Sequence, residues 1–95
     1  AMFARRLTQF ERELDACLLH EAAIPVETKV AFLSWAYNVG SGAACRSTLV
    51  RKANAGDLVG ACNELPRWNK AGGRVIKGLT NRRVSERGLC LSGLD

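Results

Sequence analysis

The feature that most constrains this chain is a stretch from about Glu27 to Val39 that is apolar nearly all round. Val30, Ala31, Phe32, Leu33, Trp35, Ala36, Tyr37 and Val39 leave almost no polar face at helical spacing. A helix of that kind belongs in the middle of a domain, where other segments can cover every side of it. Pro25 ends the turn ahead of it, and Gly40-Ser41-Gly42 stops it, since glycine takes backbone angles other residues avoid.

The flanking segments supply more helices. From Ala4 to His20, Leu7, Phe10, Leu14, Cys17 and Leu18 recur at helical spacing, while Arg5, Glu11, Arg12, Glu13 and Asp15 fill the other faces, which predicts an amphipathic helix. A third helix is expected over Arg46 to Ala55, ended by Gly56, and a fourth from an Asp57 N-cap through Leu65, closed by Pro66. Polar and glycine residues from Arg67 to Gly73 break the pattern, and Thr80 is expected to cap a last helix carrying Arg82, Arg83, Glu86 and Arg87. No strand alternation stands out, so the expected class is all-α, a compact cluster of about five helices forming one domain over residues 1–95.

Composition narrows the setting. An apolar fraction of 47% in 95 residues suits one small core, and no apolar run is long enough to span a membrane. The start, AMFARRLTQF, carries charges where the apolar region of a signal peptide would stand, so no export signal is expected in this segment. The net charge of +5 is divided unevenly: residues 1–42 sum to −1 and residues 43–95 to +6. A basic half suits an anionic polymer, be it nucleic acid, bacterial wall or an acidic membrane surface.

The four cysteines, Cys17, Cys45, Cys62 and Cys90, read as structural disulfides, with three connectivities open. No C-x-x-C pair is present and His20 is the single histidine, so neither a metal site nor a cofactor is expected. His20, near a helix end, is favoured there as a cation by the helix dipole.

A glycosidase needs two carboxyls on opposite sides of the scissile bond, one of them kept protonated by an apolar setting. No such pair is evident. Glu11, Glu13 and Asp15 lie among arginines on a polar face, Asp57 serves as a cap, Glu86 is flanked by Arg82, Arg83 and Arg87, and Glu64 has Arg67 within ion-pair reach. No nucleophile motif replaces them, so the residues alone describe a binding domain. Polar and aromatic side chains gather at helix ends: Tyr37-Asn38, Ser47-Thr48, Asn63 and Arg67-Trp68-Asn69. Amides and hydroxyls beside an aromatic ring suit an aminosugar polymer, although Trp35 and Trp68 also serve a core and Asn38 a turn.

In sequence order, SWAYNVGSGAACRSTLVRKANAGD, LPRWNKAGGRVIKGLTNRR and SERGLCL closely resemble the C-terminal lobe of phage and prophage lysozymes (endolysins, glycoside hydrolase family 24), bacteriolytic enzymes that cut peptidoglycan between its aminosugars. The resemblance runs through essentially the whole chain. It implies that residues 1–20 correspond to the helix joining two lobes, and that the N-terminal lobe bearing the catalytic Glu is absent from this segment. It implies peptidoglycan glycan strands and that other lobe as partners, with no specific nucleic acid and no membrane span. Synthesis in the host cytoplasm and action in the periplasm or wall follow from the same resemblance. Tyr37, Asn38, Thr48, Asn63 and Arg67 are the implied substrate-binding positions, with no catalytic residue in this chain. The resembled helix packing implies Cys45–Cys62, and Cys17–Cys90 then ties the two ends. A basic all-α module that grips phosphates through Arg67, Lys70, Arg74, Lys77 and Arg82 is the alternative from a different class.

Overall fold

The computed structural model describes residues 12–18 and 23–94. Most of the expected Ala4–His20 helix, including Leu7, Phe10 and His20, lies outside the described residues. Within them residues 12–17 are helical (α1). Helix α2 follows over Val26–Val39, α3 over Ser41–Cys45, α4 over Thr48–Asn54 and α5 over Leu58–Glu64. A 3₁₀ turn at Leu65–Arg67 leads into strands β1 (Lys70–Ala71) and β2 (Arg74–Val75), and α6 spans Lys77–Ser92. The expected all-α class is borne out, with this one small hairpin added.

The hairpin falls where the sequence shows only a break. Lys70 pairs with Val75 and Ala71 with Arg74, leaving Gly72-Gly73 as a two-residue turn. Both glycines have positive φ, 59° and 79°. That is the requirement of the tight turns whose twist matches antiparallel strands, and only glycine meets it twice without strain. Two residues per strand are too few to show alternation.

Helix α2 is central, but not covered on every side. Thr28, Ala31, Phe32, Trp35 and Ala36 are buried, whereas Val26 and Val30 stay exposed, at 73% and 47%. Helix α6 runs antiparallel along one flank of α2. Near one end the Thr28 hydroxyl donates to the Cys90 carbonyl (2.7 Å), midway Ser34 Oγ donates to Glu86 (2.6 Å), and at the other end Asn38 meets Arg83. Gly93 permits the close approach at the first end, since a Cβ there would stand 2.7 Å from Thr28 Oγ1. Around this pair Leu14, Leu49, Val50, Ala61, Cys62 and Leu65 complete a core with the α2 side chains.

Two boundaries differ from expectation. The chain does not stop being helical at Gly40-Ser41-Gly42. Gly40 turns it at φ 94°, and α3 begins at once. The expected Arg46–Ala55 helix starts later, because Ser47 adopts an extended conformation and its hydroxyl caps α4 by accepting from Val50 N (3.2 Å). Asp57 caps α5 as expected, accepting from Gly60 N at 2.9 Å. Thr80 is not the cap of α6, which starts three residues earlier at Lys77; its hydroxyl instead donates to the Ile76 carbonyl and accepts from Asn69 Nδ2, both at 3.2 Å.

The disulfide pairing is a correction. The bonds are Cys17–Cys45 and Cys62–Cys90, not Cys17–Cys90 and Cys45–Cys62. The reason is the extra helix: Cys45 ends α3 instead of opening the helix that faces α5. Helix α3 lies against α1, where Ser41 Oγ donates to Glu13 (2.5 Å). Asn54 Nδ2 also donates to the Cys17 carbonyl (2.9 Å), which draws α4 to the same side. Cys62 and Cys90 are both fully buried between α5 and α6.

Candidate functional site

The α4–α5 pair and the 3₁₀ turn enclose a cleft of about 290 Å³ lined by Thr48, Leu49, Glu64, Arg67 and Trp68. Each side chain arrives there for a local reason. Thr48 is the first residue of α4, exposed just beyond the Ser47 cap. Leu65-Pro66-Arg67 tightens the chain after α5, because proline cannot continue the α-helical hydrogen bonding, and this delivers Trp68 to the rim. Trp68 is half-buried and meets the fully buried Trp35 edge-on, with centroids 5.3 Å apart and planes at 74°. Its ring is thereby fixed by the core, with part of its surface left open.

The charges of the cleft are arranged around Glu64. This carboxylate is buried, with Arg67 Nε at 3.0 Å and Lys52 Nζ at 3.8 Å. The expected Glu64–Arg67 ion pair is present. Arg67 itself remains 78% exposed along its side chain, so its guanidinium both serves Glu64 and faces the solvent side of the cleft.

Behind the cleft lies a buried polar network. Arg83 is wholly buried; its Nε donates to the Trp68 carbonyl (2.9 Å), one terminal nitrogen donates to Glu86 and the other to Asn38 Oδ1. Glu86 also accepts from Ser34 Oγ and from Arg82 Nε, the latter at 3.4 Å. One guanidinium thus joins the end of α2 to the Trp68 loop. Buried charge of this kind persists only when hydrogen bonds satisfy it on all sides.

The structure brings some of the expected residues together and separates others. Thr48 and Arg67 share the cleft. Tyr37 is half-buried and Asn38 exposed at the end of α2, and Asn38 connects to the cleft through Arg83. Asn63 lies outside the cleft lining, accepting from Arg87 Nε at 2.8 Å. Leu49 and Glu64 line the cleft without a binding role expected from sequence; Trp68, expected either beside a sugar or in the core, lines the cleft and touches the core at once, and Arg83 enters the sequence reading only as a neighbour of Glu86. A second, more open depression of about 420 Å³ is formed by Cys45, Arg46, Ser47, Val50, Arg51 and Asn54, and contains none of the expected residues.

Among the described residues no cluster of His, Cys, Asp and Glu could hold a metal ion, and no helix is long and apolar enough to cross a membrane. Of the five cations in the phosphate-gripping alternative, Arg67 and Arg82 are already engaged by Glu64 and Glu86.

The family model for phage lysozyme matches residues 1–86. This chain belongs to the phage lysozyme family. The SAR-endolysins of Enterobacteria phages PA-2 and P21 are each 51% identical to it over 93 residues, covering 98% of this chain and 55% of theirs. The crystal structure of the active form of P1 phage endolysin Lyz superposes with a TM-score of 0.85 at 27% identity, covering 98% of this chain and 58% of that one. The secreted inactive form of that endolysin gives 0.84. This phage lysozyme family member therefore spans a little over half the length of the PA-2 and P21 endolysins.

Proposed function

We propose that this chain is the glycan-gripping lobe of a peptidoglycan-hydrolysing lysozyme, acting on the bacterial wall during phage lysis. The observation that carries the reading is the cleft: a hydroxyl, a guanidinium and a core-anchored tryptophan converge in a chain of the phage lysozyme family. Thr48 and Arg67 hydrogen-bond the sugar chain, and the open part of Trp68 stacks on an apolar sugar face. Tyr37 and Asn38 extend the surface along the end of α2, and Asn63 adds an amide at the α5 side. In this proposal residues 1–20, of which 12–18 are described, correspond to the inter-lobe segment of the family, and the cleaving acids stand in the other lobe. Synthesis takes place in the host cytoplasm and action in the periplasm or wall.

The settings of five of the acids support that division. Asp15 pairs with Lys29 (2.5 Å), Glu13 accepts from Ser41, Asp57 caps α5, and Glu64 and Glu86 are held by arginines. None of these settings is the apolar pocket that keeps a general acid protonated.

The test is sedimentation. The chain is expected to co-sediment with insoluble peptidoglycan at physiological salt more strongly than it retains double-stranded DNA, and to release no sugar ends from walls on its own. Arg67→Ala and Thr48→Val are expected to weaken wall binding several-fold. Preferential DNA binding with a steep salt dependence would overturn the proposal.

A further inference from the structure

Asn38 is exposed, yet one side of its amide is already committed. A guanidinium carries five donors and no acceptor, so the atom of Asn38 that meets Arg83 has to be the carbonyl oxygen. The amide nitrogen, a donor with two hydrogens, is then turned away from the network. Arg83 cannot turn to release it, because its Nε is held by the Trp68 carbonyl and its other terminal nitrogen by Glu86. Its side chain is fully enclosed as well. An ordinary surface asparagine can turn either end of its amide to a ligand; this one has its oxygen held inward by Arg83, which leaves the NH2 group as the end free to face a ligand.

We propose that Arg83 is a positioning residue that pins Asn38 with its amide nitrogen outward, so that this end of α2 presents a hydrogen-bond donor and favours an acceptor, a carbonyl oxygen of the wall polymer. The inference rests on the glycan-binding reading above and adds the polarity of one contact to it. Two sources in peptidoglycan carry such an oxygen: the acetamido group of an aminosugar and the carbonyls of the peptide stem. A sugar hydroxyl, which can accept or donate, fits the site less selectively.

Two variants separate this role from support of the fold. Asn38→Asp keeps an oxygen for Arg83, and gains an ion pair with it, but turns a negatively charged acceptor outward in place of the donor. Arg83→Lys keeps the charge beside Glu86 and loses the planar fork that holds three partners at once. The 95-residue chain, labelled with ¹⁵N, is titrated with an N-acetylglucosamine oligomer, with a cello-oligosaccharide of equal length that lacks the acetamido group, and with the free stem dipeptide. In the wild type the Asn38 side-chain amide signals are expected to shift with the acetylated oligomer if the sugar supplies the oxygen, or with the dipeptide if the stem does. Asn38→Asp is expected to bind that preferred probe about tenfold more weakly at an unchanged melting temperature. In Arg83→Lys the preference for that probe over the cello-oligosaccharide is expected to collapse toward one, whereas general loosening of the fold would lower binding to both together. Binding of Asn38→Asp within twofold of wild type, or wild-type binding that leaves the Asn38 amide unmoved, overturns the inference while the glycan-binding reading stands. Failure of the wild type to bind any probe removes both.

Discussion

Replacing Arg83 by methionine is expected to cost about 3–5 kcal/mol of stability, the penalty typical of removing one member of a buried, hydrogen-bonded ion pair. Three groups lose their partner at once: Asn38 Oδ1, the Trp68 carbonyl and one oxygen of Glu86. Glu86 is 5% exposed, and its remaining partners are a serine hydroxyl and the half-exposed Arg82. A domain of this size typically has about 5–15 kcal/mol in total, so the variant stands near the edge of folding. By the usual size scaling its melting temperature falls by more than about 12 °C. Changing Glu86 to leucine in the same background is expected to recover much of the loss, because the uncompensated charge disappears with its partner. Thermal unfolding of the two single variants and the double variant measures this as a coupling energy. A drop of only a few degrees for Arg83→Met would show that the network contributes little.

The second large effect is expected at Cys62–Cys90. The bond closes a separation of 28 residues, and changing both cysteines to alanine is expected to cost about 3–4 kcal/mol through the freedom it returns to the unfolded chain. The cavity term adds to this, because both sulfurs are fully buried between α5 and α6. Cys17–Cys45 closes an equal separation but is only half-buried, so a thiol reductant is expected to open it first. Mass spectrometry after graded reduction and alkylation gives the order, and thermal melts of the Cys62→Ala/Cys90→Ala double variant give the magnitude. Loss of Cys62–Cys90 ahead of the other bond, or a melting shift under about 5 °C, would contradict the burial argument.

Helix α2 was legible in the sequence because its apolar residues outnumber every other signal, and Trp35 is in the core as its position implies. Asp57 was legible as a cap because aspartate before an apolar run has few other uses. The separation of α3 from α4 was not. It depends on Ser47 adopting an extended backbone, which a sequence of good helix formers on either side does not reveal. The inward face of helix α6 is not legible from its apolar residues. Its buried residues are Arg83, Glu86 and Cys90, while Val84 and Leu89 are exposed, so hydrophobic periodicity points to the wrong face. The spacing of Arg83, Glu86 and Cys90 at i, i+3 and i+7 does mark one face, and Cys90 would have identified it as the inward one. Of the residues that line the cleft, Thr48 and Arg67 are the two that the motifs around them single out. The roles of Trp68 and Arg83 depend on contacts between distant segments, α2 with α6 and α6 with the 3₁₀ turn, which no local pattern encodes.

The order of the two disulfides along the chain determines what a single backbone cut can do. The bonds join 17 to 45 and then 62 to 90, so they form two successive closed rings, neither nested in the other. A protease that nicks the hairpin at Gly72-Gly73 opens a ring, and the two pieces stay covalently attached through Cys62–Cys90. The stretch from 46 to 61 belongs to neither ring. It contains the exposed Ala55-Gly56-Asp57 joint between α4 and α5. One cut there divides the molecule into two separable pieces, each keeping its own crosslink, and it divides the cleft as well, with Thr48 on one piece and Arg67 and Trp68 on the other. A nested arrangement, Cys17 to Cys90 around Cys45 to Cys62, would have held those pieces together by two bonds.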